Sequence, residues 1–202
     1  MLDKNFIIIG TLINSAGTFV YLWNTIKGHV KPNRVSFLLW SIAPMIAFAA
    51  QIKQGVGLAS LMTFSTGFLP LLIFVASFTN KNAKWKLTWF DLACGFFSVI
   101  GLILWLITKV GNVAIFFSIV ADGLAALPTV VKAYKYPETE IAWPWMATCI
   151  GVVLTLLTLE QWTFANSAFI IYIFIVSLMI FICAQFKLGS RSRIPYRMNS
   201  RI

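Results

Sequence analysis

Asp122 is the residue best placed to do chemistry. It lies near the middle of an apolar stretch, residues 113–131, where bilayer hydrocarbon would surround it. A charged side chain at that depth costs roughly 2.5–3.5 kcal/mol on insertion scales, so it is expected to face a cavity or a partner. A carboxyl group at the midplane can also carry a proton between the two faces. Ser118, Asp122, Ala125 and Thr129 recur at three- or four-residue steps and share one helix face. Thr11, Asn14, Thr18 and Tyr21 form a second polar stripe in residues 6–23. Two readings stand side by side: the stripes line a common pocket, or they are hydrogen-bonding glue between helices, worth about 0.6 kcal/mol per bond. Ser65, Thr66 and Tyr172 are further pocket candidates. Other chemistry finds little footing. His29 is the single histidine and reads as a solvated loop side chain. Cys94, Cys149 and Cys183 all fall in apolar stretches, with neither a disulfide framework nor zinc spacing. The phosphate loop, nucleophile elbow and HExxH patterns do not occur. No cofactor, resident metal or enzymatic activity is expected.

The elements that position these residues follow from composition. Of 202 residues, 59% are apolar and 11% are charged, against about 45–50% and 25% in soluble proteins. Too little polar surface exists to cover a water-soluble globule. Seven stretches approach the roughly 17–25 apolar residues a membrane helix needs: 6–23, 37–52, 58–78, 89–107, 113–131, 142–159 and 167–186. Their continuous apolarity, without the period-two alternation of barrel strands, predicts helices. The first stretch holds Asn14 and Ser15 at its centre and lacks a small-residue cleavage pattern, so it reads as a retained helix. Residues 1–186 form one membrane domain, and 187–202 form a basic tail.

Charge placement gives the orientation. Lys27, Lys31, Arg34, Lys81, Lys84, Lys86, Lys132, Lys135, Lys187, Arg191, Arg193, Arg197 and Arg201 follow the odd-numbered stretches. Lys4, Lys53 and Lys109 fall on the other side. Basic loops stay cytoplasmic, which puts the amino terminus outside and the carboxyl terminus inside. The net charge of +10 is then a topology signal, aided by anionic inner-leaflet lipid. The bilayer is the expected partner; nucleic acid is not. Short loops favour a bacterial plasma membrane. Asp91, just inside the fourth stretch, is expected to reach the headgroups or Lys84.

Sliding the chain on itself by 105 residues pairs Ala16 with Ala121, Leu22 with Leu127, Lys27 with Lys132, Pro32 with Pro137 and Trp40 with Trp145. Each half then holds a helix, a Lys, a loop with Pro, and a helix with Trp near its start. Repeat one covers 6–78, the linker helix 89–107 and repeat two 113–186. One inserted crossing makes the two triple-helix bundles run in the same direction, a parallel 3+1+3 repeat related by an axis along the membrane normal.

At the end of the fifth stretch, Leu127-Pro128-Thr129-Val130-Val131-Lys132 resembles the proline-glutamine motif of the PQ-loop superfamily, which includes SWEET sugar transporters, lysosomal amino-acid exporters and KDEL receptors. Thr129 stands where glutamine is usual; Trp23-Asn24 occupies the matching place in the first half, without the proline. The resemblance implies an all-α, seven-helix, SWEET-like fold around a central cavity lined mainly by helices 1, 2, 5 and 6, with help from 3 and 7. It implies a multi-pass transporter of a small polar solute (amino acid, vitamin or sugar) working by alternating access, with protons as a candidate coupling ion. The alternative is a non-transporting receptor or accessory subunit of the same fold, and an oligomer is compatible with either. Substrate or proton contacts are expected from Asp122, Asn14, Thr18, Ser118, Thr129 and Tyr172. Gating or hinge roles are expected from Pro44, Pro128, Trp40, Trp145 and Asn24. Pro44 and Pro128 each remove a helical hydrogen bond. Trp40 and Trp145 occupy equivalent places, and for Trp23, Trp40, Trp85, Trp89, Trp143 and Trp145 the competing expectation is an interfacial aromatic belt.

Overall fold

The computed structural model describes residues 3–108 and 111–189; Lys109 and the arginines Arg191, Arg193, Arg197 and Arg201 lie outside them. Among the described residues are seven α-helices and two short 3-10 turns, with no strand. The helices are α1 (Phe6–Lys27), α2 (Arg34–Lys53), α3 (Ser60–Ala76), α4 (Trp89–Thr108), α5 (Gly111–Lys135), α6 (Ala142–Leu157) and α7 (Phe164–Phe186). Four are long and apolar enough to cross a membrane: α1, α2, α7 and the Ile115–Lys135 part of α5. Ser60–Ala76, Trp89–Ile100 and Ala142–Leu157 are apolar but shorter.

Helix ends depart from the apolar stretches by a few residues because helix and hydrocarbon obey different signals. α1 continues past residue 23 to Lys27 and stops at Gly28, whose φ of 78° lies in the left-handed region. There the His29 N–H donates to the Asn24 carbonyl at 2.9 Å, closing the helix end. α2 begins at Arg34 because the Asn33 side chain accepts from the Val35 and Ser36 N–H groups. α6 ends at Leu157, two residues before its apolar stretch does.

Packing is set by small residues. α1 and α6 run antiparallel in close contact, with Gly10 against Gly151 and Gly17 against Ala147 and Pro144. A Cβ on Gly10 would sit 2.6 Å from the Gly151 carbonyl oxygen, so only glycine permits this approach. α2 packs on α5, α3 fills the space beside α1 and α2, and α7 does the same beside α5 and α6. Exchanging α1, α2 and α3 for α5, α6 and α7 leaves this main pattern of neighbours unchanged. α4 lies against α5 and the start of α2. It is held there by Ser98, whose hydroxyl donates to the Ala121 carbonyl at 2.6 Å, and by Asp91. The outward surface is strongly apolar, with Phe19, Val75, Phe96 and Met179 among its exposed side chains. Such a surface suits lipid rather than water.

Replacing Gly151 with leucine should force α1 from α6 and cost about 1–3 kcal/mol. The thermal midpoint of the detergent-solubilised protein should fall, whereas Gly57→Ala, where a Cβ meets nothing within 4 Å, should leave it unchanged.

Candidate functional site

A cavity of about 90 Å³ lies at the centre of the bundle, lined by α1, α2, α3, α5, α6 and α7. Asn14 and Thr18 reach it from α1, and Asp122 from α5. Tyr172 and Ser177 reach it from α7, Ser65 and Thr66 from α3, and Thr148 from α6. α5 supplies only Asp122, while α3 and α7 supply more wall than expected. The cause is packing: each of α3 and α7 sits beside both other helices of its own half and so turns one face inward.

Asp122 is 5% exposed, and its Oδ2 accepts from the Tyr172 hydroxyl at 2.7 Å. The Trp40 indole also interacts with this carboxyl, while Oδ1 has no hydrogen-bond partner among the described residues. A hydrogen bond to a charged acceptor is worth roughly 1.5–3 kcal/mol, and Tyr172 therefore fixes the carboxyl in place. In the 105-residue alignment Asp122 corresponds to Gly17, and Asn14 to Ile119. The polar groups are thus asymmetric even where the neighbour pattern is symmetric.

Asn14 organises the other wall. Its amide donates to Ser65 Oγ at 3.0 Å, and its carbonyl accepts from the Thr148 hydroxyl at 2.8 Å. One residue thereby ties α1, α3 and α6 together at the cavity.

Four aromatic rings close one end. Tyr21 and Phe37 lie 5.3 Å apart, Phe37 and Trp40 5.3 Å, Trp40 and Trp145 5.7 Å, and Trp145 and Tyr21 6.0 Å, completing a circuit. Below it, toward the basic loops, the Tyr21 hydroxyl donates to Glu140 Oε1 at 3.2 Å. The same oxygen takes an ion pair from Lys132, and both side chains are fully buried. Lys132 also donates to the Lys31 carbonyl and lies 5.3 Å from the Trp85 ring centroid.

The sequence expectations divide cleanly. Asp122, Asn14, Thr18, Tyr172, Pro44, Trp40 and Trp145 come together at the cavity. Ser118 and Thr129 are fully buried beside it with hydroxyls that have no hydrogen-bond partner, so the helix 5 stripe is mostly packing. Pro128 is buried outside the lining. Asn24 bonds locally to the Val20 carbonyl and His29, away from the cavity. Trp40 is buried and Trp145 half-buried in the ring circuit, unlike the exposed Trp23, Trp89 and Trp143. Asp91 is buried rather than reaching headgroups or Lys84, because it accepts from Thr88 N–H and from Asn33 Nδ2 at 2.6 and 2.9 Å. The Lys132–Glu140 pair escaped sequence reading because a lysine after a membrane helix reads as a topology charge. The available signal was the Glu138/Glu140 pair of acids in an otherwise basic set of loops, of which Glu140 is the buried one.

Among the described residues no three His, Cys, Asp or Glu side chains gather as a metal site. No family model, curated protein or solved structure matches the chain. The arrangement is a cavity bordered by one carboxyl, beside a circuit of four rings and a buried ion pair.

Removing one partner of that pair strands the other charge. Glu140→Gln should cost about 3–5 kcal/mol, and adding Lys132→Met should recover much of the loss. Thermal or denaturant unfolding in detergent reads both.

Proposed function

We propose that the chain crosses the membrane seven times and carries a small polar solute by alternating access. The observation that carries this reading is the central cavity, mostly apolar in its lining but walled by both halves and bordered by one midplane carboxyl. The exchange-symmetric neighbour pattern supports a parallel 3+1+3 repeat with α4 as its linker. So does the contact between Trp40 and Trp145, since equivalent residues meet where they flank a pseudo-twofold axis. This is the SWEET-like architecture that the PQ-loop resemblance implies. The basic loops face the cytoplasm, the amino terminus lies outside, and the membrane is a bacterial plasma membrane.

In this reading the ring circuit and the Lys132–Glu140 pair form the cytoplasmic gate, with Tyr21 belonging to both. Opening inward requires the rings to part and the ion pair to loosen or move as a unit. Pro44, inside α2 beside the cavity, removes a backbone hydrogen bond where α2 must flex. Asp122 takes up and releases the coupled proton.

A flux screen in proteoliposomes, covering amines, amino acids, sugars and vitamins with and without a proton gradient, tests the reading. At least one solute should accumulate when the gradient is imposed. Asp122→Asn should abolish the response to the gradient. Transport by that variant with an unchanged pH dependence would exclude Asp122 as the proton site, and flux of no solute class would exclude transport.

A further inference from the structure

The cavity has an unbalanced chemistry. Among the described residues Asp122 is its single Asp, Glu, Lys, Arg or His side chain. Lys132, near the end of α5, is already held by Glu140. An anionic ligand would therefore meet a carboxylate and no counter-charge, in surroundings where charge is weakly screened.

The hydrogen-bonding groups are unbalanced in the same sense. Thr18 donates its hydroxyl proton to the Asn14 carbonyl, Ser65 to Met62 and Thr66 to Thr63, all within their own helices. Each of these hydroxyls is left with lone pairs rather than a proton to offer. Pro44 and Pro70, both on the wall, lack the N–H that would pair the Trp40 and Thr66 carbonyls in a regular helix. Asp122 Oδ1 is an acceptor without a partner. Among the described residues the donors left without an acceptor are few: Trp145 Nε1, the Ser177 hydroxyl and the second Asn14 amide hydrogen.

The third feature is aromatic surface. Tyr21, Trp40 and Trp145 all border the cavity. Ring faces attract cations, by about 0.5–1 kcal/mol when exposed and about 2 kcal/mol when desolvated.

From these three observations we infer that the cavity selects a small protonated amine, with its ammonium group paired with Asp122 and the acceptor-rich wall and lying against the Trp40 and Trp145 rings. This names a substrate class for the proposed transport site and rests on that reading. Tyr172 keeps the carboxyl aimed, since its hydroxyl occupies Oδ2 and leaves Oδ1 for the ligand.

Calorimetric titration of the purified full chain in detergent with benzylamine, benzyl alcohol and benzoate tests charge preference at nearly constant size. Benzylamine should bind about tenfold or more tightly than the alcohol, and benzoate should not bind. Asp122→Asn should remove the preference for the amine, while Asp122→Glu should retain it. Should Asp122→Asn fail to fold, Trp145→Leu must still weaken the amine more than the alcohol. Equal binding of alcohol and amine, or tighter binding of benzoate, overturns the inference while leaving a solute cavity in place. Binding of none of the three also overturns it, and the flux screen then decides separately whether transport stands.

Discussion

Hydrocarbon penalises exposed polar groups, and this constraint organises the molecule. Helices satisfy most of their own backbone, Pro44, Pro70 and Pro128 interrupting it, and polar side chains are driven to the interior. Asn14, Asp122, Ser65 and Thr148 thus converge on one space because lipid excludes them from all others. The same pressure buries the Lys132–Glu140 pair, where two opposite charges and the Lys31 carbonyl satisfy one another. The interior therefore gathers a few polar groups on a largely apolar cavity and holds an ion pair beyond one end of it.

Close packing makes the cavity asymmetric. Glycines let α1 and α6 touch backbone to backbone, while the corresponding contact of α5 with α2 carries Asp122 at the place of Gly17. One interface is a tight seam and its counterpart holds the cavity carboxyl. Tyr172 and Trp40 approach that carboxyl from α7 and α2, so its position depends on three helices at once. Tyr21 links this region to the ion pair, being both a member of the ring circuit and the donor to Glu140. A movement that separates the rings must disturb the buried charges as well.

Much of this was legible from residue types alone. A midplane Asp is costly enough to announce itself, and the Asn14–Thr18 stripe follows from helical spacing. The order of apolar stretches matches the order of the helices. What stayed hidden was decided by the partner helix rather than by the helix itself. Ser118 and Asp122 share a face, yet only Asp122 reaches the cavity. Asp91 turned inward because Asn33 and the Thr88 N–H were there to meet it. Lys132 differs from its counterpart Lys27, which remains exposed and rests 4.9 Å from the Trp23 ring centroid, because Glu140 has no acidic equivalent in the first half: Val35 stands there.

Accessibility of introduced cysteines to a small water-soluble thiol reagent tests most directly whether the central cavity holds water. Thr18→Cys and Ser177→Cys, which line the cavity from α1 and α7, should be modified in the membrane-embedded protein. Phe19→Cys, next in sequence to Thr18 but on the exposed apolar surface, should resist. Protection of both cavity positions, or equal reaction at Phe19→Cys, would contradict a solvent-filled interior enclosed by a lipid-facing shell.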